Sequence, residues 1–125
     1  MTALADLTDA APVRRMSVAR GILRAPTGQA VDDRRRGAVE ATVASAVKRA
    51  AELLPGQHPV QPTHIDVLFA EAEGAVTLTV TVQAYARGLL DSAALLGVVT
   101  GLLALRQGLG GGSLEGVEVV QNVAA

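Results

Sequence analysis

The stretch AVTLTVTVQAY, residues 75–85, decides the fold of this 125-residue chain. Valine or leucine occupies every second position from 76 to 82, threonine occupies the positions between them, and Gln83 follows. This period of two is the pattern of a β-strand with one buried face and one wet face. Just before it, Ile65, Val67 and Phe69 alternate in the same way. Residues 71–74, two glutamates, an alanine and a glycine, are typical of a hairpin loop, so these strands are predicted to pair antiparallel.

Two helices are predicted on either side of this hairpin. Between Arg36 and Leu54, apolar side chains recur at spacings of three and four, which indicates an amphipathic helix. Lys48 and Glu52 lie on its polar side at the i,i+4 spacing of an ion pair. The second helix runs from about Gly88 to Gln107 and is apolar nearly all round, which predicts a subunit interface in addition to a core. It carries a stripe of small residues at Ala93, Gly97 and Gly101.

Two further strands complete the predicted order of elements. One covers Pro12–Arg24, before the first helix, and the other covers Leu114–Val123 near the end of the chain. The order strand, helix, strand, strand, helix, strand is the ferredoxin-like βαββαβ arrangement of an α+β protein, an antiparallel sheet with two helices on one face. We therefore expect a single domain over residues 1–125, in which residues 1–11 form a flexible arm.

The composition argues against several classes of function. The chain has no cysteine and two histidines, so disulfides, thiolate catalysis and a metal site are not expected, and no cofactor is predicted. A net charge of −1 and an aromatic content of 2% argue against a nucleic-acid partner. The N-terminus lacks an apolar signal segment, and the longest uncharged run, residues 92–105, is shorter than the about 20 residues that cross a bilayer. We expect a cytoplasmic protein without membrane contact.

Residues 48–59, KRAAELLPGQHP, and residues 63–67, THIDV, resemble a family signature. The family is the cyclic pyranopterin monophosphate synthases of molybdenum cofactor biosynthesis, whose pattern here is K-R-T-x-x-L-I-P-L-C-H-P followed by T-H-V-D-V. The resemblance extends over nearly the whole chain and implies the same ferredoxin-like fold. It also implies a homo-hexamer, built as a trimer of dimers, with sites between subunits. The implied ligand is a small molecule, anionic or polar.

The resemblance implies four site residues. Arg14, Lys48 and His58 match positions that line the phosphate and pterin pocket in the family, and Arg106 takes the place of a catalytic lysine on the second helix. We expect catalytic roles for His58 and Lys48. Arg14 and Arg106 are expected to bind the ligand, because guanidinium suits bidentate contacts to phosphate. The structural alternatives are a loop histidine satisfied by backbone groups for His58, a solvated pair with Glu52 for Lys48, and a charge favouring the C-terminal end of its helix for Arg106.

The acid–base groups of the family are not retained at the matching positions. An aspartate and a lysine on the second helix fall here on Leu103 and Arg106, and the acidic turn before that helix falls on residues 86–89, which hold no glutamate. Neither leucine nor arginine exchanges protons near neutral pH. Three functions stay open. They are a diverged family member with another substrate, which we favour, an authentic synthase acting as a lyase, and a non-catalytic scaffold that keeps only the fold.

Overall fold

The computed structural model describes residues 12–25, 31–54, 61–72 and 74–124. Its elements, in chain order, are β1 (Val13–Arg24), α1 (Asp33–Lys48), α2 (Ala50–Leu53), β2 (Pro62–Ala72), β3 (Ala75–Ala86), α3 (Asp91–Leu109) and β4 (Ser113–Ala124). The four strands form one antiparallel sheet in the order β2-β3-β1-β4. The ferredoxin-like α+β fold predicted from the sequence is confirmed. The flexible arm predicted for residues 1–11 lies outside the described residues.

One face of the sheet forms the core, and the alternation of the sequence selects that face. On β3 the fully or almost fully buried side chains are the alternate ones, Val76, Leu78, Val80, Val82 and Ala84. On the adjacent β1, Ser17, Ala19 and Leu23 are fully buried. The threonines between the apolar positions of β3 lie on the other face, which we call the open face because no described helix covers it. The period of two therefore separates core from surface as predicted.

The small residues of α3 allow α1 to approach it closely. A Cβ atom added to Gly101 would lie 2.7 Å from a methyl group of Val43 and 2.8 Å from one of Leu78. A Cβ atom added to Gly97 would lie 3.1 Å from Val47. Real Cβ contacts are longer than these, so larger residues at both positions would separate the two helices and the sheet. The predicted stripe of small residues therefore packs against α1 and β3 of the same chain.

The first predicted helix is divided in two. Asp32 caps α1, because its carboxylate accepts a 2.8 Å hydrogen bond from the backbone N–H of Arg35. The helix ends at Lys48, Arg49 forms a turn, and α2 follows as a single turn. This turn breaks the continuous helix that an i,i+4 pair requires. Among the described residues, the predicted pairing of Lys48 with Glu52 is therefore wrong. The carboxylate of Glu52 instead lies 3.1 Å from Nε of Arg49.

The second long helix starts and ends a few residues later than predicted. It covers Asp91–Leu109 and stops at Gly110, which adopts the left-handed conformation with φ of 81° that glycine tolerates best. By length and composition alone α3 is long and apolar enough to cross a bilayer. Within the fold, 44% of the most apolar 18-residue stretch of α3 is buried, and its buried side packs against α1 and the sheet.

Candidate functional site

The sheet has two ends, and the candidate residues are divided between them. At the first, which we call the Arg14 end, Arg14 of β1 pairs with Tyr85 of β3. At the other, the Arg24 end, Arg24 of β1 pairs with Ser113 of β4. Arg14 and Arg24 are ten steps apart on one strand, which corresponds to about 33 Å at the rise of an extended chain.

Arg14 stacks on the single tyrosine of the chain. Its Cζ lies 5.4 Å from the centroid of the Tyr85 ring, and its Nη2 donates a 3.1 Å hydrogen bond to the tyrosine hydroxyl. Both side chains are exposed on the open face. The cation–π contact and the hydrogen bond restrict the guanidinium to one place at the surface, where it keeps a fixed positive charge. Arg14 is therefore already ordered for contact with an anion.

A hydrogen-bonded cluster joins β1 to the first turn of α3 at the Arg14 end. The hydroxyl of the buried Ser17 donates a 2.7 Å hydrogen bond to Oδ1 of Asp91, and Nδ2 of Asn122 donates a 3.1 Å hydrogen bond to Oδ2. The positive end of the helix dipole also favours a carboxylate in the first turn. Asp91 thus supplies a carboxylate close to the turn at residues 86–89, where the family glutamates are missing.

Lys48 is the last residue of α1, on the helix side of the sheet. The last turns of α1 pack on the first half of α3, where Val47 meets Gly97, and α3 begins at the Ser17–Asp91 contact. Lys48 itself is exposed. Its ammonium group is free to contact solvent or a neighbouring molecule, on the side of the sheet opposite to Arg14.

Arg106 lies at the other end. Its Nε donates a 2.7 Å hydrogen bond to the backbone carbonyl of Gly112. Gly112 approaches β1 so closely that an added Cβ would lie 2.4 Å from the carbonyl oxygen of Arg24. Arg106 therefore lies at the Arg24 end, about 30 Å from Arg14 along the sheet. Its contact holds the chain that leaves the C-terminus of α3. Arg106 also lies in the last turn of this helix, as the structural alternative for this residue requires.

The described residues do not bring all the predicted cations together in one chain. Arg14 lies on the open face at one end of the sheet, Lys48 lies on the helix side, Arg106 lies at the opposite end, and His58 lies outside the described residues. Exposed charges separated by more than about 8–10 Å are largely screened at ordinary ionic strength. A site that uses both Arg14 and Arg106 must therefore combine residues of two subunits.

Two of the described candidate residues, Arg14 and Arg106, carry guanidinium groups, which suit contacts to an anion. At the two family acid–base positions, Leu103 has no ionisable group and Arg106 holds a carbonyl oxygen. Within residues 12–25, 31–54, 61–72 and 74–124, no group of three His, Cys, Asp or Glu side chains is placed to hold a metal ion.

Tyr85 contacts the candidate residue Arg14, and Asp91 anchors α3 near it, although no motif marks either residue. Tyr85 becomes relevant only through the strand register that puts it opposite Arg14. The sequence does contain a clue to Asp91, because Ser17 is a polar residue at a core-facing position of β1. A buried hydroxyl needs a hydrogen-bond partner, and Asp91 is that partner.

Comparison with known proteins gives one partial similarity. Over 60 residues the chain is 40% identical to a probable cyclic pyranopterin monophosphate synthase from Pyrococcus horikoshii. The matched stretch covers 48% of this chain and 38% of that protein, so the chain spans well under half the length of its relative. No protein-family model matches the sequence. The similarity supports the family resemblance noted in the sequence.

Proposed function

We propose that the chain is a diverged member of the cyclic pyranopterin monophosphate synthase family that binds or converts an anionic or polar small molecule. The carrying observation is the 40% identity over 60 residues, in a chain with the ferredoxin-like fold that the family resemblance implies. Divergence is inferred from Leu103 and Arg106, which replace an acid–base pair by groups that do not shuttle protons.

The proposed pocket lies between subunits of a cytoplasmic homo-hexamer. It combines Arg14 of one subunit with Arg106 of a neighbour, and Lys48 and His58 are its proposed catalytic residues. Arg14 and Arg106 of one chain lie about 30 Å apart along the sheet, too far for both to contact the same small ligand. This distance supports a contribution from a neighbouring subunit. Leu103, which is 49% exposed on α3, provides apolar surface for such a contact.

Calorimetric titration with 3′,5′-cyclic GMP, an anionic cyclic nucleotide, tests the pocket. Affinity should fall with added salt, because exposed charges are screened. It should fall again as rising pH deprotonates His58, if the imidazolium is the binding form. Arg14→Ala and His58→Ala should each weaken binding by about 1.5–3 kcal/mol, the range for a hydrogen bond to a charged group.

The matched control is Arg20→Ala, which removes an exposed arginine that pairs with Glu118 between the two ends of the sheet. It should leave the affinity unchanged. An equal loss in Arg20→Ala and Arg14→Ala would show nonspecific attraction to positive charge and contradict the pocket. No detectable binding by an intact hexamer would favour the scaffold function.

The second candidate is an authentic synthase, and the name of the relative from Pyrococcus horikoshii favours it. Complementation of a bacterial strain that lacks the true enzyme separates the two functions. We expect no restored molybdoenzyme activity, because Leu103 and Arg106 provide no general base or acid. Restored activity would show that other residues replace the lost pair.

A further inference from the structure

The arginines of β1 on the open face differ in their partners. Arg20 and Arg24 each form a 2.7 Å ion pair with a glutamate of β4. Arg14 forms no ion pair with any carboxylate in the part of the chain that the structure describes. Its partner is the neutral side chain of Tyr85. The described residues therefore leave the positive charge of Arg14 without a counter-charge.

The described carboxylates of the open face lie far from Arg14. Asp66 of β2 is paired with Thr81, which lies about 13 Å along β3 from Tyr85. The glutamates of β4 lie about 20 Å or more from Arg14 along β1. Asp91 lies on the helix side, where both of its carboxylate oxygens already accept hydrogen bonds. Exposed charges are largely screened beyond about 8–10 Å, so the open face is positively charged at the Arg14 end.

The guanidinium of Arg14 keeps most of its hydrogen-bond donors for a ligand. A guanidinium carries five N–H groups, and Tyr85 accepts a hydrogen bond from Nη2. The remaining N–H groups have no acceptor among the described residues. Two adjacent N–H groups of a guanidinium match the two oxygens of a carboxylate or phosphate group. Arg14 can therefore make a bidentate contact to an anion while it stays on the Tyr85 ring.

The hydroxyl of Tyr85 adds a donor beside this guanidinium. A phenol both accepts and donates a hydrogen bond. The Tyr85 oxygen accepts from Arg14 at 3.1 Å, and its own proton has no acceptor among the described residues. A bond accepted from a cation polarises the hydroxyl and makes it a better donor. Because Tyr85 is 58% exposed, one oxyanion at the surface can accept from both side chains.

We propose that Tyr85 is a ligand-binding residue that acts with Arg14 on a phosphate or carboxylate group of a small molecule. Arg14 makes the bidentate contact, and the Tyr85 hydroxyl donates a third hydrogen bond to the same group. The cation–π contact holds the guanidinium in place before the ligand arrives, so less side-chain entropy is lost on binding. The inference rests on the proposed function for the presence of a ligand at Arg14, and it adds Tyr85 to that site.

Titration of the full chain with inorganic phosphate at constant ionic strength tests this role, with the Nε–H NMR signals of the arginines as the readout. The Arg14 signal should shift and saturate, whereas the signal of Arg20, which is paired with Glu118, should not. Tyr85→Phe keeps the ring and removes the hydroxyl, and it should weaken phosphate binding about tenfold. Leu68→Ala is the matched control, because Leu68 lies on the open face with the same exposed fraction of 58%. It should leave the affinity unchanged.

A purely structural role for Tyr85 gives a different result. A cross-strand pair that only stabilises the sheet would lower the free energy of unfolding in Tyr85→Phe and leave phosphate binding as in the parent. Asp9→Asn tests whether a carboxylate of the same chain occupies the site, and it should not change the affinity. Equal phosphate affinity of the parent and Tyr85→Phe, an Arg14 signal that does not respond, or a severalfold gain in Asp9→Asn would each overturn the proposal.

A parallel titration with 3′,5′-cyclic GMP separates this inference from the proposed function. We expect Tyr85→Phe and Arg14→Ala both to weaken binding of cyclic GMP. If the parent binds phosphate through Arg14 and Tyr85 but does not bind cyclic GMP, the proposed function fails and the anion site stands. If cyclic GMP binds equally well to the parent and to Tyr85→Phe while Arg14→Ala weakens it, the proposed function stands and the role of Tyr85 is wrong.

Discussion

The hydroxyl of Ser17 and the carboxylate of Asp91 meet at 2.7 Å, and this contact fixes the start of α3 on the central strand. Ser17 is fully buried, so its hydroxyl makes this hydrogen bond to a carboxylate in place of hydrogen bonds to water. Asn122 of β4 donates to the other carboxylate oxygen. One carboxylate thus joins a helix and two strands at the Arg14 end of the sheet.

Ser17→Ala should lower the free energy of unfolding by about 1–3 kcal/mol, because it removes the buried donor to Asp91. Asp91→Ala should cost a similar amount, since it leaves the Ser17 hydroxyl buried without a partner. Urea unfolding of both single variants and the double variant gives their coupling. Ser92→Ala, at the exposed neighbouring position, is the control. A coupling energy near zero would mean that the two groups do not interact in solution.

Gly101→Ala should destabilise the fold, because the added methyl group would meet Val43 at 2.7 Å and Leu78 at 2.8 Å. Overpacking of this kind costs about 1–3 kcal/mol, part of which the better helix propensity of alanine offsets. Gly37→Ala is the matched control in α1, since nothing lies within 4 Å of its added Cβ. It should stabilise the protein by about 0.5–1 kcal/mol. Thermal unfolding that ranks the two variants in the opposite order would contradict the helix packing.

Glu71 should contribute to the pH dependence of stability. The backbone N–H of Val31 hydrogen-bonds its carboxylate and, together with Arg36, lowers the pKa of Glu71 below its ordinary value of 4.5, while burial acts in the opposite direction. A lowered folded-state pKa stabilises the protein above pH 4.5, and this contribution is lost as the pH falls through the folded-state pKa.

Glu71→Gln should therefore be less stable than the parent at pH 7 and approach it in stability at low pH. Arg36→Gln should reduce the same dependence only in part, because the Val31 hydrogen bond remains. Urea unfolding measured from pH 7 to pH 3 checks both. A constant difference between the parent and Glu71→Gln over this range is the outcome that speaks against the assignment.

The exposed apolar residues on the helix side should take part in assembly. Leu53, Leu89 and Leu103 are each about half exposed. Light scattering should report a hexamer, and Leu103→Glu should shift it to smaller species because a charge cannot be buried at an apolar contact. Gln107→Glu, one turn further along α3 and also exposed, should assemble normally. A stable monomer of the unaltered chain at micromolar concentration would rule the hexamer out.

The candidate site was only partly accessible from the sequence. The resemblance of residues 48–59 pointed to Lys48 and His58, but the role of each cation depends on distances along the sheet. Arg14 and Arg106 look equivalent as exposed arginines, yet one stacks on Tyr85 and the other holds the carbonyl of Gly112. Which groups lie together depends on how β1, α3 and β4 pack, and these elements are distant from one another in the sequence.

The sequence by itself determined the order of the main elements and the buried faces of the hairpin strands and of the first helix, because the periods of two and of 3.6 are properties of the local backbone. Residues 75–85 show this directly, since the alternation of valine with threonine separates core from open face. Only the tertiary structure decided what the stripe at Gly97 and Gly101 packs against, how far Arg106 lies from Arg14, and that Asp91 receives the hydroxyl of Ser17. Those relationships join residues distant in sequence, and they exist only after hydrophobic burial has brought the helices onto the sheet.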